Sequence, residues 1–165
     1  MTVSMTKQTL ILGIDPGYGR MGFGCIAVSK GKTEAVDFGV MTTTAGDAIE
    51  IRLLHLATDL NQIIAHLKPD LIAVEKLFFA NNSTTAMRVA EARGIVLLLA
   101  AQAGVPILEI GPAQVKKALT GDGAAKKPAM QKMVATLLNL PRVPKPDDAA
   151  DALAIAITAS TMRRI

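Results

Sequence analysis

Four acids stand where segments of this chain are expected to end or begin. Asp15 closes the apolar run Leu10–Ile14, Glu75 closes Leu71–Val74, and Asp148 and Asp151 lie three apart at the start of the last apolar segment. A three-residue spacing puts that pair on one face of a helix. Strand ends at one edge of a mixed sheet can converge, and a helix starting beside them would bring all four carboxylates together. Four such groups cannot all ionise unless cations neutralise them. Ligands that offer only oxygen select hard ions such as Mg²⁺ or Mn²⁺. Two of these ions, about 3.5–4 Å apart, are a recurrent device for in-line cleavage of phosphodiesters.

Each acid also has an ordinary structural reading. Asp15 can open a turn with Pro16 and Gly17, Glu75 can be a solvated strand end, and Asp148 and Asp151 can complement the helix dipole. The set says more than its members. Ala149–Ala159 is nearly all Ala, Leu and Ile with no Lys or Arg. A helix that apolar is buried, and acids on it need a partner from elsewhere. Asp147 adds a further acid, so Asp147 with Asp151 is an alternative pair on the same face.

Positive charge is concentrated in one stretch. Between Gly111 and Pro146 the basic residues are Lys116, Lys117, Lys126, Lys127, Lys132, Arg142 and Lys145 against the single acid Asp122, a net +6, while the rest of the chain sums to −2. One-sided basic surface is the footprint of a polyanionic partner, although a solvated pair of lysine-rich helices has the same composition.

The elements that must position these groups read in order as βββ-α-β-α-β-α-α-α. Leu10–Ile14, Gly22–Val28 and Thr33–Met41 are expected strands, the latter two joined by a turn at Lys30-Gly31-Lys32. Ala48–Leu67 has helical periodicity, Leu71–Val74 is a short buried strand, and Ser83–Ala103 is a long helix ended by Gly104. A fifth strand is expected at Val105–Ile110, helices from Pro112 to Leu119 and on to Leu140, a proline-rich connector at Pro141–Pro146, and a closing helix at Asp147–Met162. Late strands alternating with helices imply parallel pairing, hence an α/β fold with a mixed five-stranded sheet covered on both faces. The 165 residues, half of them hydrophobic, fit a single domain. The longest apolar stretch, Ile95–Ala101, is too short to span a bilayer, which takes about 20 residues. No leader sequence is recognisable, and the one cysteine, Cys25, reads as a buried small hydrophobe, so the expected location is the cytoplasm.

From Leu10 to about Thr158 the chain resembles the RuvC family of bacterial Holliday junction resolvases, whose fold is ribonuclease H-like. The resemblance lies in LGIDPG at Leu12–Gly17, VEKLFFANN at Val74–Asn82, ARG at Ala92–Gly94, QVKK at Gln114–Lys117, MVATLL at Met133–Leu138 and DAADALAIAIT at Asp148–Thr158. It implies that Asp15, Glu75, Asp148 and Asp151 are catalytic metal ligands for two Mg²⁺ per subunit, with Mn²⁺ able to substitute. It also implies that Phe78 wedges against bases at the junction centre and that Lys116 and Lys127 contact the DNA backbone; Lys117 and Lys126, which match no family position, are expected helpers from the same basic stretch. The implied product is a pair of symmetric nicks with 5′-phosphate and 3′-hydroxyl ends. The implied partners are four-way junction DNA, a second copy of the chain and the RuvA-RuvB branch-migration complex, with no membrane. The helix Ser83–Ala103, through its Ile95–Leu99 run, is the candidate dimer interface. Phe79 is expected in the core, Tyr18 departs from the smaller polar residues usual at its position, and residues 1–9 are expected to form a flexible extension without counterpart, Met5 lying nearer the usual start.

Three rivals remain in view. An actin-like or sugar-kinase-like ATPase also begins with a strand and an Asp-x-Gly phosphate loop, but needs a second subdomain. A non-catalytic DNA-binding module would tolerate loss of a carboxylate, whereas all four are present. A related nuclease with a different nucleic-acid substrate shares every feature above.

Overall fold

The computed structural model describes residues 8–78 and 83–163. Most of the expected N-terminal extension, including Met5, and Phe79 lie outside the described residues; Thr9, expected in that extension, already belongs to the first strand. The elements follow the expected order: β1 Thr9–Asp15, β2 Arg20–Ser29, β3 Lys32–Thr42, α1 Ile49–Leu67, β4 Leu71–Glu75, α2 Ser83–Ala103, β5 Ile107–Ile110, α3 Pro112–Thr120, α4 Lys127–Leu137 and α5 Asp147–Met162. The sheet order is β3-β2-β1-β4-β5, with the first three strands antiparallel and β1, β4 and β5 parallel. Among the described residues no helix is long and apolar enough to cross a membrane.

Three boundaries differ from expectation for local reasons. The β2–β3 turn is only Lys30-Gly31, at φ 47° and 77°, and Lys32 already pairs with Ser29. Two positive φ angles suit a tight turn that matches strand twist. β5 starts at Ile107 rather than Val105, because the Val105 amide donates to the Ala100 carbonyl at the end of α2 and Pro106 has no amide to donate. α4 ends at Leu137 rather than Leu140. Asn139 turns left-handed at φ 50°, and the Leu140 amide donates back to the Ala135 carbonyl, closing the helix.

Strand alternation divides the core into two layers. Leu12, Ile14, Cys25, Ile72 and Val74 pack toward α1 and α2, while Ile11, Ile26, Leu71 and Ala73 pack toward α3, α4 and α5. Cys25 is fully buried, and that burial, followed by the nearby Asp37, pushes its thiol up to about 12. Asp15 shares parity with Ile11, and Glu75 shares it with Leu71 and Ala73, so both strand-end acids belong to the α5 side.

α5 lies across the middle of the sheet, and ten of its residues from Ala149 to Ala159 are buried. It comes this close because the strands beneath it carry glycine. A Cβ on Gly13 would stand 2.1 Å from the Ala152 carbonyl oxygen, and one on Gly22 would stand 2.0 Å from that of Asp148. Gly24, which pairs with Gly13, would meet Leu153 at 2.7 Å. Those at Gly13 and Gly22 are backbone contacts, so a side chain there can be accommodated only by moving the helix. Gly13→Ala is therefore expected to lower stability by about 1–3 kcal/mol, as overpacking in a core does. Urea unfolding measures it, and an unchanged midpoint would show that α5 is not held by this contact.

Candidate active site

Asp15 and Glu75 sit at the carboxyl ends of two adjacent parallel strands, one residue beyond the Ile14–Val74 pair. α5 starts directly over this edge, in the groove that Gly13 and Gly22 leave open, and so brings Asp148 and Asp151 to the same place. The four acids feel one another. Asp15 is pushed up to about 7, first by burial and then by Asp151, Glu75 and Asp148. Glu75 is raised by burial and then by Asp151, with Lys116 acting in the opposite direction.

The buried helix was expected to need cationic partners, and they come from other elements. Lys127 Nζ, at the start of α4, lies 2.9 Å from Asp151 Oδ2. Arg20, at the start of β2, places Nε 3.3 Å from Asp148 Oδ2. That oxygen is nevertheless buried without a hydrogen bond, so the arginine is near it but not aimed at it. Asp147 has partners of its own, Lys145 Nζ at 2.9 Å and Lys127 Nζ at 3.7 Å. The Lys145 hydrogen bond holds its carboxyl below the ordinary range. Asp148, and not Asp147, is among the acids that raise Asp15.

Beside the acids is a cleft of about 410 Å³ whose lining includes Asp15, Glu75, Asp151, Lys116, Lys126 and Lys127. Three of the four lysines singled out in the sequence therefore border the acids. Lys117 does not; it edges a separate hollow with Gln114, Ala118, Thr158 and Met162. Phe78 is 66% exposed, so it is not core, and it stands three residues beyond Glu75. Tyr18 does not intrude on the acids. Its ring lies 4.8 Å beneath the Arg52 guanidinium, and Thr43 Oγ1 donates to its carbonyl at 2.7 Å, which ties the β1–β2 loop to the start of α1.

An all-oxygen set with an orphaned buried oxygen, and with a strand-end acid destabilised by its neighbours, has the donor chemistry that suits a hard divalent cation. Among the described residues no three histidines, cysteines, aspartates or glutamates already form a closed metal-binding group. Sequence reasoning missed Arg20, which no local pattern connects to Asp148 across more than a hundred residues.

The family profile described as crossover junction endodeoxyribonuclease RuvC matches residues 11–159. A RuvC from Pseudothermotoga lettingae is 49% identical over 156 residues, covering 94% of this chain and 96% of the relative. One from Thermomicrobium roseum is 50% identical over 147 residues, covering 89% and 90%. The structure of Thermus thermophilus RuvC in complex with Holliday junction substrate superposes with a TM-score of 0.89 at 36% identity, covering 94% of this chain and 95% of that one. The yeast mitochondrial Holliday junction resolvase shares the fold, with a TM-score of 0.64 at 14% identity.

The burial of Asp15, with its acidic neighbours, has a measurable consequence. Its folded value of about 7 lies above the ordinary 3.8, so the folded protein without metal holds this proton more tightly than the unfolded chain does. That contribution to stability is complete below the unfolded value and is lost as pH rises through the folded one. Asp15→Asn removes the titration. In EDTA the variant is expected to melt above wild type at about pH 8, with the gap narrowing toward about pH 5. Parallel pH profiles for the two proteins would contradict the raised value of Asp15, and with it its burial beside the other acids.

Proposed function

We propose that this chain, which belongs to the RuvC family of crossover junction endodeoxyribonucleases, is a single-domain nuclease that resolves Holliday junctions in recombination and DNA repair. The observation that carries the reading is the meeting of Asp15, Glu75, Asp148 and Asp151 at one sheet edge beside a lysine-lined cleft. Mg²⁺, two ions per subunit with Mn²⁺ able to substitute, supplies when bound the charge that activates an attacking water and stabilises the leaving 3′ oxygen. The four carboxylates hold that charge, and the rigid pair of strand ends together with α5 fixes where it sits. Lys116, Lys126 and Lys127 receive the phosphates around the scissile bond, and Lys117 meets the duplex farther from it. Lys127 has a further part: its ammonium neutralises Asp151 until cation and phosphate arrive. Cleavage leaves 5′-phosphate and 3′-hydroxyl ends, which a ligase can rejoin.

A four-way junction offers two equivalent strands, so a twofold dimer with two sites matches its substrate. α2 suits the interface. Val96 and Leu99 of its apolar run are buried against the protein, whereas Met87 and Leu98, eleven residues or about three turns apart, are 59% and 57% exposed on one face. The working setting is the cytoplasm, in concert with the RuvA-RuvB branch-migration complex.

The direct test is Mg²⁺-dependent cleavage of a four-way junction against linear duplex. Wild type is expected to nick the junction in preference. Asp15→Asn is expected to keep binding, which the basic face drives, and to lose cleavage. A variant that cuts at the wild-type rate would overturn the metal assignment, and equal cutting of both DNAs would overturn the substrate.

Phe78 and Lys116 separate positioning from affinity. Exposed and three residues beyond Glu75, Phe78 can replace base stacking at the open junction centre and hold the scissile phosphate in place. Misplacement by about 1 Å can cost on the order of 100-fold in rate, so Phe78→Ala is expected to cut poorly while binding and melting stay close to wild type. Lys116→Ala is expected to weaken binding and flatten its salt dependence by about one phosphate contact. Stability lost in Phe78→Ala, or an unchanged salt slope in Lys116→Ala, would return each residue to a structural or solvated role.

A further inference from the structure

Behind the acids, on the opposite side of the sheet, one arginine joins three elements. Arg93 lies on α2, between Ala92 and Val96 of the α1–α2 core, and its side chain is only 16% exposed. Its Nε donates to the backbone carbonyl of Glu75 at 3.3 Å, at the end of β4. Its Nη2 donates to Glu109 Oε2 on β5. The same two strands are joined where the Lys76 amide donates to the Ile110 carbonyl at 2.8 Å. The guanidinium thus reaches the strand end that carries Glu75 without touching the carboxylate itself.

The ion pair is not explained by stability. Glu109 is 45% exposed, and a pair open to water on that side contributes little. What the pair provides is direction. A guanidinium is a rigid fork whose donors point along fixed lines, so bonding to Glu109 fixes the angle at which Nε meets the Glu75 carbonyl. Phe78 leaves the sheet three residues later. Arg93 and Glu109, with Lys76, Leu77, Phe78 and Ala90, line a hollow of about 310 Å³ at its base. On its other side the Phe78 ring lies beside Gly111, where a Cβ would be 3.9 Å from the ring edge. An aromatic ring this exposed has little packing of its own to set its course, so the segment from which it springs must do so.

We propose that Arg93, held in orientation by Glu109, is a positioning residue that fixes the end of β4 and thereby the relative placement of Glu75 and Phe78. The catalytic consequence rests on the function proposed above; the mechanical claim does not. The chain contains no tryptophan, so Phe78→Trp introduces a single indole whose fluorescence anisotropy reports how firmly that position is held, with no DNA present. Adding Arg93→Lys replaces the fork by a point charge that cannot keep both bonds in their present directions. The expected result is lower anisotropy at an unchanged melting temperature. In the wild-type Phe78 background, Arg93→Lys is expected to reduce kcat on junctions about 10- to 100-fold with little change in junction Kd. Glu109→Gln, which keeps a neutral acceptor, is expected to show both effects more weakly and serves if Arg93→Lys fails to fold. Unchanged anisotropy in the variant that folds would overturn the proposal, as would a fall in melting temperature that accounts for the whole loss of rate. Failure of wild type to prefer junctions would instead overturn the function, leaving the anisotropy result to decide the clamp.

Discussion

The close approach of α5 to the sheet is the constraint on which the site depends. Glycine at positions 13, 22 and 24 removes the Cβ atoms that would keep a helix at its usual distance, and the backbone of α5 settles onto β1 and β2. Buried Ala152 and Ala156 complete the small-residue contact with Gly13 from the helix side. Because the acids Asp148 and Asp151 are carried on the first turns of that helix, its depth sets their distance from Asp15 and Glu75. A helix riding higher on ordinary side chains would leave the same four acids in the sequence and no common site in space.

Bringing like charges together costs free energy, and the structure shows where. Asp15 holds its proton to about 7, and one oxygen of Asp148 is buried without a hydrogen bond. Lys127 and Arg20 offset part of this from outside the cluster, through contacts that are half open to water. Such partners are weak enough to be displaced, because exposed ion pairs contribute about 0–1 kcal/mol. The arrangement is therefore poised to accept stronger positive charge. Stability and function pull in opposite directions at this edge, while the glycine-lined contact beneath supplies the rigidity that keeps the acids from separating.

Much of this was legible in the sequence, because Asp15 and Glu75 each close a short apolar run and so mark two strand ends. The apolar run after Asp151 required a buried helix, and hence a neighbour for its acids. What sequence could not supply is register and long-range pairing. Arg20 reaches Asp148 only because β2 begins beneath the start of α5, and Arg93 reaches Glu75 only because α2 packs behind β4. Lys117 directly follows Lys116, yet successive helical residues point about 100° apart, and it borders a different hollow. The early end of α4 turned on a left-handed Asn139, a choice that helical periodicity does not reveal.

The most direct measurement is anomalous diffraction from crystals of the protein equilibrated with Mn²⁺ and a non-cleavable four-way junction. The account predicts ordered anomalous density among Asp15, Glu75, Asp148 and Asp151, adjacent to a backbone phosphate, with Lys127 no longer on Asp151. Density elsewhere on the protein, or none among these four carboxylates at saturating Mn²⁺ with the junction bound, would contradict it.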